Sequence, residues 1–125
     1  MPHDPLKLLH DIGDAAELIL DQTRNLTLAV YEGNRMLRGA VERSFTIIGE
    51  TISRLTRADL VGAQALGNYP QIIGFRNVVV HGYDVLEDAI VWGIVQNEIP
   101  KLIASARSRI EHTNEHRAND QKGLT

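Results

Sequence analysis

Cysteine is absent from the 125 residues of this chain. Its absence excludes disulfide bonds, thiolate catalysis and metal sites with thiolate ligands, and it is compatible with a reducing compartment. Aromatic residues are also few, at 5% of the chain against 43% hydrophobic residues in all. We therefore expect a mainly aliphatic core in a helical protein, and the length fits one domain.

Long apolar runs are missing as well. No stretch approaches the roughly 20 apolar residues of a membrane span, and the first five residues lack the basic segment and apolar run of a secretory signal. We therefore expect a cytoplasmic protein with no membrane partner. Lys and Arg number 13 against 16 Asp and Glu, a net charge of −3 that argues against strong non-specific nucleic-acid binding.

Apolar residues recur at the spacing of amphipathic helices along most of the chain. Asp4 before Pro5 marks a helix start, since Asp is a good cap and proline is tolerated in the first turn. Gly33-Asn34 indicates a break, and the helix predicted after it over residues 34–56 has a wide apolar row that includes Val41, Ile47 and Ile48. Further helices are predicted over residues 71–80, and from residue 84 with a kink or restart at 97–100. The pattern predicts an all-α fold, an up-down bundle of four to five helices.

The two parts of the chain differ in composition. Residues 1–110 hold the apolar rows and are predicted to form the helical bundle domain. Residues 111–125 contain only Ala118 and Leu124 as apolar side chains, so we predict a polar, disordered tail.

The richest chemistry lies in the run from Arg76 to Tyr83, which also contains Asn77, His81 and Gly82. Arginine has a planar donor fork that fits phosphoryl oxygens, and histidine can exchange a proton near neutrality. On an unbroken helix Arg76 and His81 would project about 140° apart, at about 100° per residue. A joint site within one chain therefore needs the helix to end near His81, and Gly82 is placed to end it.

The same run resembles a family signature: an arginine, four residues, a histidine, one residue and a tyrosine. Together with segments 4–20, 40–50, 90–92 and 99–102, residues 71–83 resemble HepT-like toxins of the HEPN ribonuclease superfamily. The resemblance implies a homodimeric α-helical bundle whose motif lines a cleft at the dimer interface and cleaves RNA without a metal. Gly82-Tyr83-Asp84-Val85 departs from many relatives, which carry a bulky aromatic residue after the tyrosine.

The resemblance also assigns roles to single residues and names a partner. It implies that Arg76 and His81 are catalytic, and it implies a minimal nucleotidyltransferase antitoxin that silences the toxin by attaching AMP to Tyr83. From the residue types, His81 could transfer protons during attack of the RNA 2′-hydroxyl on phosphorus, and Arg76 could stabilise the charge that develops. Asn77 could orient the imidazole or bind a phosphate. Base and acid would be two histidines of a dimer, or His81 and Tyr83 of one chain.

Simpler readings stay open for each feature. Arg76, His81 and Tyr83 taken singly fit a surface arginine, a helix-terminal histidine and a half-buried aromatic residue. The arginines at positions 35, 38, 43, 54 and 57 fit a solvated helix face or a basic patch beside a cleft. His112 and His116 could share a metal, although a solvated tail is favoured. We predict no metal and no cofactor. The alternative function is a non-catalytic module that binds a nucleotide or a nucleotidyltransferase partner.

Overall fold

The computed structural model describes residues 4–67 and 88–123, with side chains through Asp120. This part of the chain forms helices and contains no strand. The helices are α1 (Pro5–Thr23), α2 (Leu28–Gly33), α3 (Arg35–Ala58), α4 (Leu60–Gln64), α5 (Asp88–Asn97) and α6 (Ile99–Gly123). Four of them are long and two have only one or two turns, so the predicted all-α class is confirmed.

Side-chain caps mark where α1, α3 and α4 begin. The Asp4 carboxylate accepts a hydrogen bond from the Leu6 amide at 3.0 Å, and Pro5 follows at the first helical position as predicted. Asn34 separates α2 from α3, and its side chain accepts from the Leu37 amide at 3.0 Å. The predicted break before α3 is therefore confirmed. Asp59 caps α4 in the same way.

The core lies where α1, α3, α5 and α6 meet. Its members are aliphatic apart from two aromatic rings, Tyr31 and Phe45, as the composition predicted. The predicted apolar row of α3 faces this core and is confirmed, except that Ile47 was wrongly placed on the buried side and is 37% exposed. Its buried members are Val41, Ser44, Phe45, Ile48, Thr51, Ile52 and Leu55.

Ion pairs show how α6 runs against α1. The Arg107 Nη2 atom lies 3.2 Å from Asp14 Oδ1 and 2.9 Å from Glu17 Oε1. Farther along α6, Arg117 Nη2 lies 2.9 Å from Asp4 Oδ1. Residue numbers rise along α6 as they fall along α1, so the two helices are antiparallel, as an up-down bundle requires.

The end of α6 lies in the range predicted to be a polar, disordered tail, residues 111–125. Within the described part of that range, α6 continues through Gly123. Burial does stop at Ile110, which is 6% exposed, and residues 114–120 are all exposed. The helix continues because adding residues to a formed helix is easier than starting one, and Arg117 adds a weak surface ion pair with Asp4 of the α1 cap. The boundary of the compact domain near residue 110 stays a prediction.

None of the helices in residues 4–67 and 88–123 has the length and apolar character needed to cross a membrane.

Candidate functional site

The predicted motif lies outside the described residues. Arg76, Asn77, His81, Gly82 and Tyr83 all fall between residues 67 and 88, so their roles stay predictions. Three groups of polar side chains among the described residues are considered in turn. One lies on α3, one surrounds Tyr31 of α2, and one lies on α6.

The first group is a groove on the C-terminal half of α3. It has a volume of about 390 Å³ and is lined by Glu50, Ser53, Arg54 and Arg57, which occupy one side of the helix because they are spaced three and four residues apart. Both arginines are exposed, and each offers a donor fork that fits phosphoryl oxygens. The groove thus presents two exposed cations beside the carboxylate of Glu50.

The predicted basic patch is divided by the length of α3. The helix has 24 residues and is therefore about 36 Å long at about 1.5 Å per residue. Arg54 and Arg57 line the groove, whereas Arg35, Arg38 and Arg43 belong to the other half. The Arg38 guanidinium donates to the Glu32 carbonyl oxygen. One chain therefore brings together two of the five arginines at this groove.

The second group surrounds a buried tyrosine. The Tyr31 ring is 0% exposed and lies 5.4 Å from the Trp92 ring, centre to centre. Its hydroxyl is buried and has no hydrogen-bond partner among the described residues. Burial raises the pKa of the Tyr31 phenol, and the charges of Glu42 and Asp88 raise it further. The phenol is therefore neutral at physiological pH.

Glu42 shares these surroundings. Burial raises the pKa of its carboxyl, Asp88 adds to the effect, and Arg38 opposes it. The two carboxylates come from α3 and from the first residue of α5. Their proximity shows that the start of α5, the first residue described after the motif, lies beside the N-terminal half of α3.

The third group is a pocket on α6. It has a volume of about 400 Å³ and is lined by Ala65, Ala104, Ser105, Ser108, Arg109 and His112. The four polar residues recur at intervals of three, one and three residues, so they share a helix face. Arginine, histidine and serine all donate hydrogen bonds, and the pocket therefore suits an anionic or hydrogen-bond-accepting ligand.

Sequence reasoning missed the second and third groups. No spacing pattern in the sequence connects the members of the second group, because they lie in three different helices: Tyr31, Glu42 and Asp88. The third group does follow a pattern in the sequence. Its polar residues have the spacing of one helix face, next to the apolar residues of α6: Ser105, Ser108, Arg109 and His112. Of the two histidines considered as metal ligands, His112 stacks on His116 with ring centres 6.0 Å apart. No cluster of three metal-ligating side chains occurs within residues 4–67 and 88–123.

The family model for ribonuclease HepT-like proteins matches residues 12–108 of this chain. The chain therefore belongs to the HepT-like ribonuclease family of the HEPN superfamily. Among curated relatives, "Putative RNase MJ1380" of Methanocaldococcus jannaschii is 31% identical over 79% of this chain and 90% of its own length. "Putative RNase MJ1216" of the same organism is 25% identical over 82% and 84%.

A relative from another organism gives the same family. "Probable ribonuclease HepT" of Thermococcus cleftensis is 27% identical over 75% of this chain and 84% of its own length. No solved structure matches the chain with significance. Family membership thus rests on sequence similarity across most of the chain, which includes the whole run from Arg76 to Tyr83.

Proposed function

We propose that this protein is a metal-independent endoribonuclease toxin of a toxin–antitoxin pair, acting in the cytoplasm as a homodimer. Arg76 and His81 are the catalytic residues, Asn77 supports them, and a minimal nucleotidyltransferase antitoxin silences them by attaching AMP to Tyr83. The observation that carries this proposal is the family match over residues 12–108, since it spans the entire motif. The exposed arginines of the α3 groove support it, because RNA needs cationic contacts.

The chemistry follows from the residue types. A base removes the proton of a 2′-hydroxyl, the oxygen attacks the adjacent phosphorus, and an acid protonates the departing 5′-oxygen. His81 performs one of these proton transfers and Arg76 stabilises the negative charge of the transition state. The products are a 2′,3′-cyclic phosphate and a free 5′-hydroxyl. A second proton-transfer group comes from the His81 of another chain, which makes a dimer part of the proposal.

The exposed face of α3 supports self-association. Met36 is 87% exposed and Ile47 is 37% exposed on this face, and Gly39 lies between them. A Cβ added at Gly39 would meet nothing within 4 Å among the residues that the structure describes. A mid-helix glycine costs roughly 0.5–1 kcal/mol relative to alanine. Since packing against the described residues does not require this glycine, we attribute it to contact with a second helix.

Charge supports a second copy of α3 as that helix. If two copies cross antiparallel, with the two-fold axis between Thr46 and Ile47, Arg43 of one copy faces Glu50 of the other. Symmetry repeats the pair, so one contact gives two oppositely charged pairs around Ile47. The same alignment sets Gly39 opposite Arg54. Each α3 groove is then bordered by the partner subunit, as a cleft at a dimer interface requires.

Charge reversal tests this interface. Arg43→Glu should weaken the dimer, measured by sedimentation, because it creates two like-charged pairs, each unfavourable by about 1 kcal/mol in water. Arg43→Glu with Glu50→Arg should restore it. Arg24→Glu is the matched control, since Arg24 is an exposed arginine paired with Asp21 on α1. An unchanged dimer in Arg43→Glu would reject this face but not dimerisation itself.

Cleavage of RNA in EDTA tests the proposed activity. Purified protein without AMP should cleave, and His81→Ala should not, while its circular dichroism and sedimentation stay those of wild type. If wild type and His81→Ala both leave RNA intact, the protein is instead the non-catalytic module that its acidic net charge also fits.

Modification of Tyr83 has its own test. Co-expression with the partner nucleotidyltransferase should add the mass of AMP to the peptide that contains Tyr83, and Tyr83→Phe should abolish the increment. The added negative charge opposes binding of RNA phosphates. AMP found only on other residues would reject this assignment.

A further inference from the structure

Three arginines with described side-chain contacts lie on α6, and they differ in how well they are paired. Arg107 Nη2 lies 2.9 Å from Glu17 and 3.2 Å from Asp14, and Arg117 Nη2 lies 2.9 Å from Asp4. For Arg109, the one recorded ion pair among the described residues is with Asp59, at 3.8 Å. That distance is too long for a hydrogen bond.

Arg109 is also the least exposed of the three. Its side chain is 20% exposed, against 33% for Arg107 and 52% for Arg117. Its Nε atom is buried and has no hydrogen-bond partner among the described residues. A buried donor without an acceptor costs about 1–3 kcal/mol, and more when the group is charged. Among these three arginines, the one with the least access to water thus has the longest ion pair with the described residues.

Asp59, the acidic neighbour of Arg109, also caps a helix of its own. Its Oδ1 atom accepts a hydrogen bond from the Gly62 amide at 3.0 Å and caps α4. Gly62 allows this cap, because a Cβ at that position would collide with the Asp59 carboxylate. One carboxylate oxygen of Asp59 is therefore used at α4, the other lies 3.8 Å from Arg109 Nη2, and Arg109 also lines the α6 pocket.

We propose that the α6 pocket is a binding site for a phosphoryl group, with the Arg109 guanidinium as its cation. Ser105, Ser108 and His112 lie on the same helix face and supply further hydrogen-bond donors around the pocket. Ala65 and Ala104 are small and leave the space open. A pocket of about 400 Å³ falls within the range of small-molecule sites, so it has room for a nucleotide or for one nucleotide unit of an RNA strand around the phosphoryl group.

The site is separate from the proposed catalytic motif and does not depend on cleavage. A phosphate contact away from the reacting bond strengthens binding of every RNA sequence alike. It also adds about one unit to the slope of the logarithm of affinity plotted against the logarithm of salt concentration. The site would therefore hold a strand or nucleotide without choosing its bases.

Binding is tested on the full chain with three probes: inorganic phosphate, UMP, and an oligonucleotide with 2′-O-methyl groups, which keeps its phosphates but lacks the attacking hydroxyl. Each is titrated while the backbone amide resonances of Ser105, Ser108 and His112 are followed by NMR. We expect saturable shifts, with affinity lowered about tenfold or more in Arg109→Ala, as for loss of a charge-assisted contact. Tightest binding of the oligonucleotide identifies an RNA strand as the ligand, and tightest binding of UMP a free nucleotide.

Two variants keep the test decisive. Arg107→Ala is the matched control, because it removes a cation two residues away whose partners are on α1, and it should bind like wild type. Ser108→Asp adds a carboxylate at an exposed position beside Arg109 and should weaken phosphate binding without loss of a core contact. The proposal is overturned if none of the probes gives saturable shifts, or if Arg107→Ala weakens binding as much as Arg109→Ala. Neither result bears on RNA cleavage, which the EDTA assay decides separately.

Discussion

The two longest helices, α3 with 24 residues and α6 with 25, use their length differently. The buried residues of α3 run from Val41 to Leu55 and so cover most of the helix Arg35–Ala58. In α6 the buried row ends at Ile110, and the exposed remainder is tied to α1 by Arg117. One helix is a core element over most of its length, whereas the other is a core element for half of it.

The two helices thus form for different physical reasons. The α3 helix is required by its apolar stripe, since leaving that stripe in water would forfeit most of the core. The outer half of α6 is an extension of a helix already formed, and only weak surface contacts favour it. Substitutions in α3 should therefore affect the whole fold, and changes in outer α6 should affect mainly local helix content.

The largest effect is expected at Phe45, which is 0% exposed in the middle of α3. Phe45→Ala should lower the free energy of unfolding by about 3–5 kcal/mol, because it leaves a cavity that close-packed neighbours fill only in part. Urea denaturation followed by circular dichroism measures the loss. A loss below about 1 kcal/mol would show that α3 is not the centre of the core.

A smaller effect is expected where the α6 row ends. Ile110→Ala should lower the free energy of unfolding by about 2 kcal/mol. This is the low end for truncating a buried isoleucine, because Ile110 lies beside the solvated half of the helix. The same denaturation experiment measures it. A cost equal to that of Phe45→Ala would mean that the core extends beyond Ile110 and would remove the contrast between the helices.

Deletion of residues 114–125 should change the unfolding free energy by less than about 1 kcal/mol. The described side chains from 114 to 120 are exposed, and the Arg117 pair with Asp4 is a surface ion pair of small value. Helix content by circular dichroism should fall by about the residues removed. A larger loss of stability would show that the outer half of α6 supports the core.

The smallest effect concerns the carboxyl of Glu42, whose pKa is raised by burial and by Asp88. A raised pKa in the folded state means that the carboxylate opposes folding above the ordinary pKa near 4.5, and this penalty disappears as the group is protonated at lower pH. Glu42→Gln should therefore raise the melting temperature at pH 7 and leave it nearly unchanged at pH 4. A lower melting temperature at pH 7 would show that pairing of the carboxylate with Arg38 outweighs burial.

The sequence predicted the parts of the fold that depend on local signals. The Asp4-Pro5 start, the break at Asn34 and the apolar row of α3 each follow from one segment and are confirmed. The length of α6 did not follow, because its outer half has no apolar period and its contact with Asp4 joins distant parts of the chain. The pocket at Arg109 was missed for a related reason. The contacts of Arg109 involve Asp59, which caps α4 in a distant part of the chain.

The central claim is that this chain cleaves RNA through attack by the 2′-hydroxyl. Unmodified protein in EDTA should be given two oligonucleotides of one sequence, one RNA and one with 2′-O-methyl groups throughout. The account predicts that the RNA is cut, with 2′,3′-cyclic phosphate and 5′-hydroxyl ends identified by mass spectrometry, and that the methylated strand stays intact. Intact RNA, or equal cleavage of both strands, would contradict it.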